Sequence, residues 1–391
     1  MSEWQKVRLG EIANYVNEKI DIKAFDTSLY ISTDSMLKDK GGIGTPESIP
    51  ESGKVTKYQH NDILVSNIRP YFKKIWFSNR EGGCSNDVLV FRANDNIDST
   101  FLYYVLSDDS FFDHMMSSAN GTKMPRGNRK LIPYFEIPLP PLSTQHRIAS
   151  ILSRYDSLIK NYQKQIKLLE EAAQRLYKEW FVDLRFPGHK NTKIVDGVPE
   201  GWAKKSIGEI GIVITGKTPS TSNKENYGGS IPFITIPDMH TGIYPVSSVF
   251  LSEKGAESQS KKYIPQGALI VSCIGTAGLV CITKERCQTN QQINSLILDD
   301  KEMLHYMYFV FLSLKEHLNN IGSNGATMTN VNKSKFEGID IVVPSSCIIR
   351  DFSQRTTPYF ENIKSLQSQL RLLTEARDRL LPKLMSGEIE I

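Results

Sequence analysis

Between Ser143 and Trp180 apolar residues recur at alternating steps of four and three: Ile148, Leu152, Tyr155, Ile159, Tyr162, Ile166, Leu169, Ala173, Leu176 and Trp180. A heptad seam of this kind predicts one uninterrupted helix with a single buried stripe. Lys160, Lys164, Lys167, Glu170, Glu171, Arg175 and Lys178 lie between the seam positions, so the rest of the surface is solvated. At 1.5 Å per residue the helix is about 57 Å long, and an apolar stripe of that length needs a partner.

The partner emerges when the sequence is slid along itself. A shift of 204 places lays Tyr155 on Tyr359, Ile159 on Ile363, Gln165 on Gln369, Leu169 on Leu373, Glu171 on Glu375, Arg175 on Arg379 and Leu176 on Leu380. The same shift reaches back without a gap to Met124 on Met328, Asn128 on Asn332 and Ile137 on Ile341. Chance matches between heptads do not run from a loop through a strand into a helix, so the chain is a tandem repeat. The second helix is expected over about 352–384, with a kink or late start at Thr357-Pro358. Antiparallel pairing of the two helices satisfies both seams.

Ahead of the first helix, Leu29–Ser32, Ile63–Ser66, Ile75–Phe77 and Val88–Phe91 read as strands and Phe101–Met116 as a helix. Lys40-Gly41-Gly42-Ile43-Gly44 and Glu81-Gly82-Gly83 read as turns. Ile137-Pro138-Leu139-Pro140-Pro141 forms a stiff extended lead into the helix and marks a boundary. In the second half, Trp202 and Ile207-Gly208-Glu209-Ile210 mirror Trp4 and Leu9-Gly10-Glu11-Ile12 at a shift of 198, so the intervening loops differ in length. The fold class is α+β: two globular α/β heads in tandem pseudo-repeat, with two long helices pairing as an antiparallel coiled coil. The expected divisions are 1–142, first head; 143–185, central helix; 186–346, second head; and 347–391, C-terminal helix. Heads that differ on scaffolds that match suggest one frame carrying two recognition surfaces.

The composition, 40% hydrophobic with 9% aromatic in 391 residues, supports real cores. No stretch approaches the ~20 apolar residues of a membrane span, and the polar start Met1-Ser2-Glu3-Trp4 is unlike a signal peptide. The expected location is the cytoplasm, with no membrane partner. Cys84, Cys273, Cys281, Cys287 and Cys347 lack the close spacing of a zinc site and read as reduced thiols; no metal site is expected.

Gly211-Ile212-Val213-Ile214-Thr215-Gly216-Lys217-Thr218 formally matches the phosphate-binding pattern G-x-x-x-x-G-K-[ST]. Its context is wrong, because the middle residues form a β-branched strand and Pro219-Ser220-Thr221 follows where a helix should open. There is no G-x-S-x-G, no H-E-x-x-H, no dinucleotide fingerprint and no Asn-Pro-Pro-Tyr of an amino-methyltransferase. No catalytic residue is therefore assigned.

Basic loops carry the positive signal. Arg69, Lys73, Lys74 and Arg80 occur without an acid over 66–80, among Tyr71, Phe72 and Trp76. Lys123, Arg126, Arg129 and Lys130 do so over 120–130. In the second half the DNA-binding candidates are Lys217, Thr218, Ser220 and Lys224, then Asn324, Thr327, Asn330 and Lys333. Lys and Arg suit phosphates, and Arg and Asn also read base edges. A solvated basic loop has the same composition, but two clusters in each repeat, one pair at equivalent places, favour double-stranded DNA as the partner.

The chain resembles the specificity subunit of Type I restriction-modification systems. The resemblance rests on Ile137-Pro138-Leu139-Pro140-Pro141-Leu142-Ser143-Thr144-Gln145-His146-Arg147-Ile148-Ala149, on Asp62 to Tyr71, and on Thr215-Gly216-Lys217-Thr218-Pro219-Ser220 with Gly229-Ser230-Ile231-Pro232-Phe233-Ile234. It implies a non-catalytic DNA-reading subunit whose two heads each read half of a split, asymmetric sequence. The paired helices then dock two methyltransferase subunits. No cofactor is expected on this chain: S-adenosylmethionine, ATP and Mg belong to partner subunits, and added restriction subunits make the assembly a nuclease. In the second repeat Pro344-Ser345-Ser346-Cys347-Ile348-Ile349-Arg350 departs from the motif and lacks its Gln. A different class of protein, a coiled-coil interaction protein whose heads bind protein, shares the helices but not the resemblance.

Overall fold

In a computed structural model, residues 4–195, 197–323, 330–389 and 391 are described. They form two compact units, Met1–Lys160 with Leu372–Ile391, and Asn161–Arg371. The central helix runs over Leu142–Tyr177 and continues as a π turn over Lys178–Val182; the C-terminal helix is Ser346–Met385. The divisions expected at 142/143 and 346/347 therefore fall at helix starts, but the long helices are not domains of their own. Each contributes segments to both units, because a one-striped helix is stable only with the core it covers.

In the first unit Ile148, Ala149 and Leu152 share a core with Leu381, Leu384 and Met385. In the second, Ala173 and Trp180 share one with Phe352, Phe360 and Ile363. There, Gln165 and Leu169 line a groove with Leu366 and Gln369, while Tyr177 lies 6.5 Å from Phe352, ring to ring. Partner numbers fall as central-helix numbers rise, so the pairing is antiparallel. Of the kink or late start expected at Thr357-Pro358, the late start does not occur: the helix runs from Ser346 through Pro358 to Met385. A helix-interior proline costs about 3 kcal/mol, and burying Phe352 and Phe360 on either side of it offsets this by about 1.5–3 kcal/mol each.

The first unit holds β1 (Gln5–Arg8), β2 (Ala13–Tyr15), β3 (Lys19–Asp21), β4 (Lys54–Tyr58), β5 (Ile63–Ser66), β6 (Ile75–Phe77), β7 (Gly82–Cys84), β8 (Val88–Ala93) and β9 (Glu136–Leu139). Their sheets are β1-β9, β2-β8-β5-β6 and β3-β4-β7. The unbroken apolar runs of β5 and β8 follow from burial on both faces. Ile63, Val65, Leu89 and Phe91 enter one core, and Leu64, Val88 and Val90 enter another on the opposite face.

Three local expectations fail in this unit. Leu29–Ser32 is a 3-10 turn, Thr27–Leu29, followed by a single bridge from Ile31 to Cys84. The helix expected over Phe101–Met116 is two, Ser99–Ser107 and Asp109–Ser117, because Asp108 turns extended and its carboxylate accepts the Ser110 N–H at 3.0 Å as a cap. Gly82 and Gly83 are a buried strand and not a turn. A Cβ on Gly83 would lie 2.3 Å from the Phe25 ring, so glycine is what lets β7 pack there.

The second unit holds β10 (Ile194–Val195), β11 (Val198–Pro199), β12 (Ala203–Ser206), β13 (Gly211–Thr215), β14 (Tyr227–Ile234), β15 (Val249–Leu251), β16 (Leu269–Ser272), β17 (Val280–Ile282), β18 (Gln288–Thr289), β19 (Ile293–Leu298) and β20 (Asp340–Val343). Sheets β12-β20 and β13-β19-β16-β17 reproduce β1-β9 and β2-β8-β5-β6 strand for strand. The three-stranded sheets diverge: β14 pairs parallel with β18, whereas β4 pairs antiparallel with β7. The repeat thus extends into the fold, and the heads differ outside their common sheet.

Gln145 joins the central helix to the head. Its buried amide accepts the Asp98 N–H at 2.9 Å and donates to the Pro140 carbonyl at 2.8 Å. At the equivalent place in the second repeat Ile349 is buried instead, so the missing Gln is replaced by apolar packing and the helix still begins at Ser346. Gln145→Leu should leave two backbone groups unpaired and cost about 1–3 kcal/mol, read as a lower urea midpoint at unchanged m-value.

Candidate nucleic-acid interface

In the first unit the two basic loops meet at the end of β5. The Arg69 N–H donates to the Pro125 carbonyl at 2.8 Å, the Gly127 N–H to Asn67 at 3.3 Å, and Ile68 bridges Arg126. Arg126 pairs with Asp87 at 3.3 Å, and the Arg129 guanidinium donates to the Asn86 carbonyl. Lys19 joins them through the Asn86 side chain at 2.6 Å. Arg69 and Lys73 both hold φ of 49°, a left-handed conformation uncommon for residues with a Cβ and concentrated at functional sites. The Arg69 Nε and Asn67 Oδ1 are buried without a partner.

The loop at 38–40, read from sequence only as the start of a turn at Lys40, completes this edge. The Asp39 and Lys40 N–H groups donate to the Phe72 and Lys73 carbonyls at 2.9 Å each, and Lys38 sits 4.2 Å over the Phe72 ring. Lys73 and Lys40 share Asp109 at 2.7 and 3.0 Å. Burial would raise the Asp109 carboxyl, but the two ammonium groups outweigh it and hold it below its ordinary range. Lys74 donates to the Thr33 carbonyl at 2.6 Å, and burial lowers its ammonium. The clusters that carry no acid in sequence are thus partly neutralised by Asp87 and Asp109. The Arg126–Asp87 pair is exposed on both sides, and a pair of that kind contributes little.

Arg80 is not part of this edge. It follows β6 at the opposite end of the hairpin, 5.6 Å over the Trp76 ring. Lys123 and Lys130 are exposed and make no side-chain bond among the described residues.

The second unit assembles its loops in the same way. Ile274 bridges Asn330, the Val331 N–H donates to Cys273 at 2.9 Å, and the Cys273 N–H donates to Gln292 at 2.8 Å. Ile68 with Arg126 and Ile274 with Asn330 are therefore equivalent bridges. Thr218 donates to Gln291, and the Thr215 hydroxyl to Asn294 at 2.7 Å, bringing the Thr215–Thr218 turn to the same edge. Lys217 is exposed there, and Asn290, Gln291 and Gln292 add polar groups not singled out in the sequence. Ser220 bonds Ser222 at 2.8 Å, and Lys224 is exposed in the turn Lys224–Asn226. Lys333 pairs with Glu337 at 3.4 Å in a short helix capped by Asn332. Asn324 and Thr327 lie outside the described residues.

The phosphate-loop look-alike has no free cradle. Its Gly216 and Lys217 N–H groups donate to Ile293 and Thr289 at 3.0 and 2.9 Å, and the chain turns on without a helix. Among the described residues no group of His, Cys, Asp and Glu could hold a metal, and no helix is long and apolar enough to cross a membrane.

A family model described as the Type I restriction modification DNA specificity domain matches residues 1–171 and 199–354, one stretch in each repeat. The chain belongs to this family. It is 31% identical to the Type I restriction enzyme HindI specificity subunit of Haemophilus influenzae, with all of both chains covered. To the MjaIX specificity subunit of Methanocaldococcus jannaschii it is 28% identical, over 76% of this chain and 70% of that one. The S subunit of the Type I restriction-modification system of M. genitalium shares the fold, with a TM-score of 0.64 over 98% of this chain and 96% of that one at 16% identity. As a Type I specificity subunit, the chain is a DNA-recognition protein and not an enzyme.

Proposed function

We propose that each unit reads one half of a split DNA target through its convergent loop pair. The observation that carries this is the equivalence of the Ile68–Arg126 and Ile274–Asn330 bridges: the same edge of the same sheet presents different side chains. Arg126 and Arg129 face one half-site, and Asn330, Thr218 and Gln291 the other, so the halves are unlike. Lys123, Lys130, Lys217 and Lys224 supply phosphate contacts that set register. The long helices dock two methyltransferase subunits, which bring S-adenosylmethionine, and restriction subunits with ATP and Mg complete a nuclease. The assembly works in the cytoplasm, on the host's DNA.

Binding of the chain to duplex DNA should fall steeply with salt. If about six phosphates are neutralised, affinity drops by about a thousand-fold between 50 and 200 mM. Fluorescence anisotropy measures this, and a flat salt response with retained protein partners would favour heads that bind protein. Arg126→Ala with Arg129→Ala should weaken target binding by about 1–3 kcal/mol and relax sequence preference in one half-site only.

A further inference from the structure

In the first unit Asp156 of the central helix and Arg377 of the C-terminal helix form an ion pair of 2.8 Å, their side chains 17% and 23% exposed. Tyr104, buried beside them, donates its hydroxyl to the other Asp156 oxygen at 2.7 Å. Arg377 also reaches Asp378 at 2.8 Å. The repeat supplies an equivalent for each member of the trio. The shift of 204 lays Asp156 on Phe360 and Ala173 on Arg377, and the matching Tyr103-Tyr104-Val105 and Tyr308-Phe309-Val310 lay Tyr104 on Phe309. Ala173, Phe309 and Phe360 are all buried in one core of the second unit. One site of the repeat is therefore polar in the first unit and apolar in the second.

Over 155–176 and 359–380 the two long helices share 11 of 22 residues, so each carries a seam that can pair with its own kind from a second copy of the chain. Replacing the C-terminal helix by a second central helix would put Ala173 where Arg377 stands, opposite Asp156. Replacing the central helix by a second C-terminal helix would put Phe360 opposite Arg377. Either exchange strands a half-buried charge, whereas the observed pairing sets charge against charge and apolar against apolar. Breaking a buried ion pair is far more costly than the pair is stabilising, and polar groups on a helical seam are known to fix partner and register.

We propose that Asp156 and Arg377, with Tyr104, commit the central helix to the C-terminal helix and exclude like-with-like pairing between two copies of the chain. The occupant excluded at each helix is thus a second copy of this chain.

The test uses the full chain with Cys347→Ser, since Cys347 is exposed and the other cysteines are buried, and with Gln165→Cys as a probe. Gln165 lines a groove with its own repeat equivalent, Gln369, so the thiols introduced by Gln165→Cys in two copies meet only when their central helices pair. Into this background Tyr104→Phe, Asp156→Phe and Arg377→Ala together write the second unit's apolar trio into the first. Cross-linking through the introduced thiol with a short bismaleimide should rise by about ten-fold or more over the parent. A folded triple variant that cross-links no more than the parent overturns the proposal. If that variant is recovered unfolded, co-expression of Asp156→Arg and Arg377→Asp chains decides. A one-to-one heterodimer that exchanges helices, formed by the mixture and by neither chain alone, supports the proposal, and independent monomers overturn it.

Discussion

Extending both long helices by one heptad, between Lys160 and Asn161 and between Arg371 and Leu372, should abolish recognition of the native target or move it to a longer spacer. These are the points where each helix passes from one unit into the other, so both cores keep their own helix segments and the seam stays in phase. Each helix gains about 10.5 Å, equivalent to about three base pairs at ~3.4 Å each. Three base pairs also turn the second half-site by nearly a third of a helical turn of DNA. Strain of that size must be absorbed by the heads or by the duplex. Methylation assays with the partner subunits, on a series of targets with graded spacers, measure the outcome. Unchanged activity on the original spacing would make the helices a docking surface with no part in measuring DNA.

Gly216→Val should remove recognition of the second half-site while leaving the first intact. A Cβ at this position would lie 2.1 Å from the Asn290 carbonyl oxygen and 2.4 Å from that of Thr289. Backbone oxygens cannot rotate aside, so the loop carrying Asn290, Gln291 and Gln292 must move and the Thr218–Gln291 contact is lost. The cost is about 1–3 kcal/mol from displaced hydrogen bonds, to which overpacking adds a similar amount. Binding to duplexes scrambled in one half or the other separates the effects. Equal loss on both halves would mean a global fold defect, and no loss would remove this turn from the interface.

The long helices were legible because a seam repeated over many turns outweighs any single residue, and the same periodicity overrode Pro358. The cores of β5 and β8 were legible as apolar runs. What failed was decided by one local contact or by distant packing. Asp108 caps a new helix where composition alone continues the old one, and Gly83 belongs to a strand because Phe25, far away in sequence, needs the space. The candidate interface shows the same division. Arg69, Lys73, Lys74, Arg126 and Arg129 were visible as basic clusters, but their edge also contains Lys38, Lys40, Lys19 and Asn86, which only tertiary pairing brings there. Arg80 shared a cluster with Arg69 in sequence, and the β5–β6 hairpin carries it to the other end. Likewise Asp87 and Asp109, outside both clusters, supply the counter-charges that sequence neighbours lack.

Sequencing of modified adenines in host DNA, with the gene intact and with it deleted, tests the recognition of a split target most directly. The expected result is a methylated motif of two dissimilar halves around a fixed unspecified spacer, present with the gene and absent without it. A palindromic motif, or a methylation pattern unchanged by the deletion, would contradict recognition by two different heads on one repeated frame.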